Sequence, residues 1–378
     1  MAHSMHTCLL FGCFIAAGTA HGQTLDHCGS GFEIPVGVTT GHAADVDGDG
    51  VLDVVVASAA GTVSVWLGSL TVSSYSAAQS DDVVLDGSTT IHDIHVEDMN
   101  GDGHADLIAA NRTFINVALG GGDGTFGAVT SIECEVCTID LGDVDGDSAL
   151  DLLSVSNEEA VVFLNDGTGL LTTSRVFRPS GSLFYNGAFV DANLDGRLDV
   201  HLQEYETFFF YNSSSYMHLG DGTGRFSGDS SGPSFDGFVS HWMYNDMNDD
   251  GVEDLVLVHD GKAEVWLGAS AGPWISHGYW VGLTEASSTS ICSGFCTSAV
   301  VEDMSGDGYP DLLTTAWANP GFSIQIAYGN GDGTLSPGPT MHHAHGEYAL
   351  SADFNLDGRS DLMVVGNGAT HIGTPPCP

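Results

Sequence analysis

"GHAADVDGDGVLDVVVA", residues 41–57, sets Asp45, Asp47, Asp49 and Asp53 at positions 1, 3, 5 and 9 of a tight loop and runs directly into Val54, Val55 and Val56. Carboxylates at alternating positions, with a glycine after the third, suit a hard divalent cation that takes six to eight oxygen ligands around a sharp turn. The residues after the loop decide the architecture. An EF-hand continues into a helix and closes its sphere with Glu at position 12; here the ninth residue closes it and a β-branched run comes next, which reads as a buried strand.

The loop recurs six more times. "DMNGDGHAD" spans 98–106, "DVDGDSALD" 143–151, "DANLDGRLD" 191–199, "DMNDDGVED" 246–254, "DMSGDGYPD" 303–311 and "DFNLDGRSD" 353–361, with starts 45 to 57 residues apart. A period of this size marks a stacked or ring-shaped repeat architecture. Each copy is preceded by a short segment such as "IHDIHVE" and followed by an apolar run such as "LIAA" or "LVLV". Next come a third run such as "TVSVWLG" or "INVALG" and a glycine turn such as "GGDGTF" that leads to a fourth. Four short strands per repeat, with turn residues between them, predict a propeller blade. The expectation is an all-β, seven-bladed propeller of four-stranded blades over residues 23–378, a single domain. The last repeat stops after "ATHIG", one strand short, and "FEIPVG" at 32–37 stands unpaired before the first loop, so the N-terminal strand is expected to join the last blade and close the ring.

The loop D-x-[D/N/S]-x-D-G-x-x-D, the apolar strand after it and the G-[N/D]-G-T-F type turn resemble the FG-GAP/VCBS repeat, and the whole resembles the seven-bladed propeller of integrin α subunits. The resemblance covers about residues 31–377. It implies calcium in the loops, and a function within a family that includes adhesion receptors, fungal lectins and propeller domains of polysaccharide lyases.

Position by position, with position 7 contributing its backbone carbonyl, the expected ligands of loop one are Asp45, Asp47, Asp49, Val51 and a bidentate Asp53. Loop two offers Asp98, Asn100, Asp102, His104 and Asp106, and loop three Asp143, Asp145, Asp147, Ala149 and Asp151. Loop four offers Asp191, Asn193, Asp195, Arg197 and Asp199; loop five Asp246, Asn248, Asp250, Val252 and Asp254. Loop six offers Asp303, Ser305, Asp307, Tyr309 and Asp311, and loop seven Asp353, Asn355, Asp357, Arg359 and Asp361. Loop three departs from the pattern in having Ser148 for the glycine, and loop six in the weaker ligand Ser305. Dockerin-type loops enter helices and thrombospondin-type arrays pack their loops far closer, so neither fits. Metal-free Asx turns are the remaining alternative, and seven copies weigh against it. The calcium, up to seven ions, is expected to be structural, stapling the hairpin between the first two strands of each blade.

Charge agrees. Seven Lys and Arg stand against 50 Asp and Glu, a formal net charge of −43, and 23 of those acids occupy ligand positions. Unneutralised carboxylates packed this closely repel one another. No basic cluster reverses the field, which excludes nucleic acid as a partner.

Residues 1–22 read as an export signal: an apolar stretch from Cys8 to Ala17, then Gly18-Thr19-Ala20, without a basic n-region. The protein is therefore expected to be secreted or at the cell surface, and no stretch reaches the length of a membrane span. Six cysteines remain, and an oxidising compartment suggests Cys134–Cys137, Cys292–Cys296 and Cys28–Cys377, the last clasping the two ends of the ring. A zinc site from the two close pairs is the alternative.

If loops and glycine turns share one face, sequence variation falls on the other. Candidate ligand-binding residues there are Arg112, Tyr185, Tyr205, Trp242, Trp317, His342 and His345, since aromatics beside polar groups suit sugar or peptide recognition. The plainer reading is that the rings cover blade junctions and that His342, His343 and His345 are polar loop residues. No catalytic constellation stands at recognisable spacing. Three functions compete: a monomeric calcium-dependent binding or adhesion propeller for a glycan or protein, a polysaccharide lyase or hydrolase, and a purely structural module.

Overall fold

The computed structural model describes residues 38–373 apart from 70–75, 78–82, 88–89, 136, 180–182, 206–211, 237–238, 260, 269–274, 277–278, 281–283, 291–295, 318–321, 344–347, 355, 357–359 and 367–368. Among these residues every regular element is a strand, and no helix is long and apolar enough to cross a membrane. The export signal, the "FEIPVG" strand, Cys28, Cys292, Cys377, His345, Asn355, Asp357 and Arg359 lie outside the described residues.

The repeat read from the sequence becomes an antiparallel sheet each time. In the second repeat, Ile91–Glu97, Asp106–Asn111, Phe114–Gly120 and Phe126–Glu133 pair in chain order. In all seven sheets the residue before the loop pairs with the ninth loop residue: Ala44 with Asp53, Glu97 with Asp106, Gly142 with Asp151. The same holds for Val190 with Asp199, Asn245 with Asp254, Glu302 with Asp311 and Ala352 with Asp361. The loop is thus a hairpin connection, as the valine run required.

The blade count differs from the expectation. Among the described residues six sheets reach four strands, so the fold is a propeller with six complete blades rather than seven. Among the described residues the last sheet has three strands, Tyr348–Ala352, Asp361–Gly366 and Ala369–Gly373. In the first sheet the outer strand is split into Ser76–Ala77 and Val83–Val84, both paired with Thr62–Leu67.

Each sheet buries both faces against its neighbours. Val155, Val162 and Phe177 of the third sheet pack on Phe189, Val200 and Leu202 of the fourth. Leu350, Ala352 and Met363 of the last sheet pack on Val38, Val54 and Val56 of the first, so the apolar core runs around the whole circle. Strands buried on both faces read as unbroken apolar runs rather than alternating ones, as the stretches after each loop do.

The inner strands leave one edge without a sheet partner, and polar side chains cover it. Asp93 Oδ2 accepts from Ile139 N–H at 2.9 Å and Asp140 Oδ2 from Phe189 N–H at 2.7 Å, each reaching into the next blade. Thr39 Oγ1 donates to Ile91 O at 2.6 Å, and His92 Nε2 bonds Cys137 O at 2.6 Å. An uncovered edge would expose buried N–H and C=O groups or recruit another chain.

His42 lies in the same inner layer, its ring 6.2 Å from that of His95. Burial and the neighbouring His95 push its pKa down to about 4, against weaker opposing effects of the Ile94 backbone and Asp93. The unfolded chain takes up this proton near 6.5, the folded one only near 4. The stability carried by neutral His42 is therefore whole above pH 6.5 and is lost as pH falls toward 4, at most about 3 kcal/mol. Chemical denaturation at pH 7 and pH 4.5 should show this loss shrinking in His42→Gln; an unchanged difference refutes the assignment.

Candidate metal loops and the opposite face

Each loop is organised by its own acids. Asp45 Oδ1 accepts from Gly48 N–H at 2.8 Å and Asp45 Oδ2 from Gly50 N–H at 2.9 Å, while Asp49 Oδ1 takes Val51 N–H at 2.8 Å. Loop two repeats this with Asp98 and Asp102, and loops three to six follow the same scheme. Position 6 needs a left-handed backbone: Gly50 has φ +84° and Gly103 +85°. Ser148 adopts φ +75° at this position and still donates to Asp143 Oδ2 at 3.0 Å, so loop three keeps the geometry at a cost of about 1 kcal/mol.

The ninth aspartate does something the sequence did not indicate. It fastens two backbone segments. Asp106 Oδ2 accepts from Met99 N–H at 2.9 Å, within its own loop, and Oδ1 from Gly120 N–H at 2.7 Å, at the end of the third strand. The same pair of bonds is made by Asp53, Asp151, Asp199, Asp254 and Asp311. Each oxygen accepts one N–H and keeps a further lone pair, so these bonds stand beside the expected ligand role. Gly120 must be glycine, since a Cβ there would stand 2.1 Å from Ala105 O.

These carboxylates are fully buried. Burial pushes the Asp53 and Asp151 carboxyls up to about 6 and those of Asp199 and Asp254 up to about 7, with neighbouring loop acids adding to it and the two N–H bonds opposing it. In loop one the oxygens of Asp45, Asp47 and Asp49 converge within 4.8 Å of one another, and in loop three those of Asp143, Asp145 and Asp151. Converging carboxylates, raised pKa values and a shortage of basic side chains are what a divalent cation would relieve, so the donor set fits calcium.

The loops and glycine turns share one face and interlock between blades. Gly124 N–H donates to Val46 O at 3.1 Å, Gly224 N–H to Val144 O at 3.2 Å and Gly333 N–H to Met247 O at 3.3 Å, each from a turn to the loop of the preceding sheet. Within a blade, the seventh loop residue lies over its own turn: a Cβ on Gly122 would meet the His104 ring, one on Gly222 would meet Arg197, and one on Gly331 would meet Tyr309.

The chain matches the model of the FG-GAP-like repeat at residues 45–109, 143–202 and 246–314, just over half its length. It belongs to the FG-GAP-like repeat family. No curated protein matches this family member. Among solved structures, BBS1N in complex with ARL6DN is 11% identical over 94% of this chain and 96% of that one, with a TM-score of 0.58. A lectin of Agrocybe aegerita that recognises non-reducing terminal N-acetylglucosamine is 17% identical over 84% and 81%, with a TM-score of 0.51. At these identities the likeness is one of fold.

The face away from the loops is less regular in this FG-GAP repeat protein. Arg112 is exposed between Asp106–Asn111 and Phe114–Gly120. Trp242 and Tyr205, expected on a binding surface, are 3% and 6% exposed. Trp242 packs with Met217, Leu255 and Leu257 and donates from Nε1 to Tyr244 Oη at 2.6 Å, and Tyr244 Oη also bonds His201 Nδ1. Tyr205 Oη donates to Val239 O at 2.8 Å and meets the Tyr185 ring edge-on at 5.0 Å. These rings join the fourth and fifth blades, which corrects their assignment as ligand contacts. Trp317 ends the strand Asp311–Trp317, and His342 lies in Leu335–His343 opposite Ser323.

Cys134 and Cys137 are free thiols, hydrogen-bonded side chain to side chain in the crossover between the second and third blades. Cys296 begins the strand Cys296–Glu302. Asn111 is fully buried, and its Nδ2 donates to Asp86 O at 2.6 Å.

Proposed function

We propose that this protein is a secreted, calcium-binding propeller that presents a carbohydrate or protein ligand surface on the face away from its loops, with calcium in a structural role. The observation that carries the reading is the division of labour between faces. One face repeats the same acid loop and interlocked turn around the ring, and the other carries the irregular connections. Calcium would be held by positions 1, 3 and 5 of each loop and by the carbonyl of position 7, with the ninth aspartate's remaining lone pairs completing the set. Neutralising those acids would fix the first hairpin of each blade, and through the turn bonded to it, the next blade.

In this reading the three-stranded sheet is a seventh blade, which its packing on the first sheet supports. Passage through an oxidising compartment would convert the adjacent Cys134 and Cys137 thiols to a disulfide and pair Cys292 with Cys296 and Cys28 with Cys377. The fold shared with the N-acetylglucosamine-specific lectin supports a glycan as the first ligand to test. A glycan array probed with the purified protein in calcium and in chelator is the test. Binding of a defined glycan that disappears on chelation is expected. Depolymerisation of uronic polymers with unsaturated product, or silence on both glycan and protein panels, would replace the reading with the lyase or the purely structural one.

A further inference from the structure

The crossover from the second blade to the third holds a pair of thiols that neither the metal loops nor the ligand face uses. Cys134 and Cys137 lie between the strands Phe126–Glu133 and Thr138–Gly142, with their side chains hydrogen-bonded to each other. The two sulfurs are unequal. Cys134 is half-buried and stands between the exposed Glu133 and Glu135, whereas Cys137 is 1% exposed. A reagent in solvent therefore meets Cys134 first.

Backbone contacts hold both residues in place without a bond between the sulfurs. Cys134 N–H donates to Thr113 O at 2.9 Å, and His92 Nε2 bonds Cys137 O at 2.6 Å. The dithiol is thus a folded form of the protein. A disulfide here would enclose only the two residues between the cysteines, and so short a loop constrains the unfolded chain little. Little folding energy is tied to the bond, so the folded chain can hold either state. Hydrogen bonding separates the roles further. The hydrogen bond from Cys134 and another from Ser154 hold the Cys137 thiol below its usual pKa, against burial and Glu159. Donating to Cys137, together with burial, pushes the Cys134 thiol up.

We propose that Cys134 and Cys137 form a thiol–disulfide exchange site that works in the folded protein, with Cys134 taking up an incoming disulfide and Cys137 resolving it. This goes beyond the disulfide of the secreted reading, which asks only that the bond forms. The substrate class is a small or peptide disulfide, RS–SR. Cys134 passes its proton to Cys137 and attacks one sulfur of RS–SR as a thiolate, forming a mixed disulfide and expelling RS⁻. That RS⁻ takes the proton from Cys137 and leaves as RSH. The Cys137 thiolate then attacks Sγ of Cys134, the mixed bond breaks, and a second RS⁻ leaves and is protonated by water. Two electrons pass from the protein dithiol to RS–SR, which ends as two thiols. A small dithiol runs the sequence in reverse.

Cystamine, a cationic disulfide, is the probe, because a net charge of −43 does not repel it. Trypsin releases residues 113–175, which contain no cysteine but these two. Peptide mapping of treated wild-type protein should find an internal disulfide in this peptide, and dithiothreitol without denaturant should return both thiols. The C137S variant should accumulate one cysteamine on Cys134, and C134S should react at least about tenfold more slowly than C137S. A wild-type bond that dithiothreitol opens only in urea overturns the exchange site and leaves a structural disulfide standing. Two cysteamines on the wild-type peptide, or C134S reacting as fast as C137S, also overturns it. Should a serine variant fail to fold, the wild-type measurements decide alone.

Discussion

Asp106→Ala should destabilise the protein by about 2–5 kcal/mol, although the residue touches no solvent. The substitution removes the acceptor for Met99 N–H and for Gly120 N–H, and both donors lie where water does not reach easily. Each orphaned donor costs about 1–3 kcal/mol, and the small cavity adds to that. Asp106→Asn should fall between wild type and Asp106→Ala, because one oxygen survives as an acceptor while the amide NH₂ faces a donor. Urea denaturation orders the three proteins. An Asp106→Ala midpoint within error of wild type would mean that these bonds fasten nothing.

Removing calcium should have the larger effect. A single site held at a hundred times its dissociation constant stabilises the folded chain by about 2.7 kcal/mol, and several loops contribute together. Chelation of the protein as isolated should lower the melting temperature by about 10 °C or more, reversibly on restoring calcium, as followed by circular dichroism in the far ultraviolet. Magnesium at the same concentration should restore much less, since it demands a near-octahedral oxygen shell that these loops do not pre-form. The loops' internal bonds soften the loss without abolishing it: Asp45 and Asp98 keep their N–H donors, but the converging carboxylates regain their repulsion.

Much of this was legible because the repeat writes it seven times. The strand after each loop followed from runs such as Val54 to Val56, and the hairpin register is set once the ninth aspartate starts the second strand. The blade count differs: a loop motif marks the first hairpin of a blade and says nothing of how many strands follow it, and the seventh copy heads a sheet of three described strands. Trp242 and Tyr205 were misplaced because an aromatic in a short strand reads alike on a ligand surface and at a blade junction; their polar tips, bonded to Tyr244 and Val239, settle it. Asp93 and Asp140 stand outside the loop and turn motifs of the repeat. A charged residue three or five positions before a loop, in an otherwise buried inner strand, was the available signal, and its meaning comes from the unpaired edge of the next blade.

Native mass spectrometry of the chelated protein, titrated with calcium, tests the metal loops most directly, because it counts ions on the intact chain. The expected result is a ladder of calcium adducts that rises with concentration to as many as seven and loses one step when Asp45, Asp47 and Asp49 are replaced together by Asn. A spectrum that stays at the metal-free mass in millimolar calcium, or a ladder untouched by that triple replacement, would contradict it.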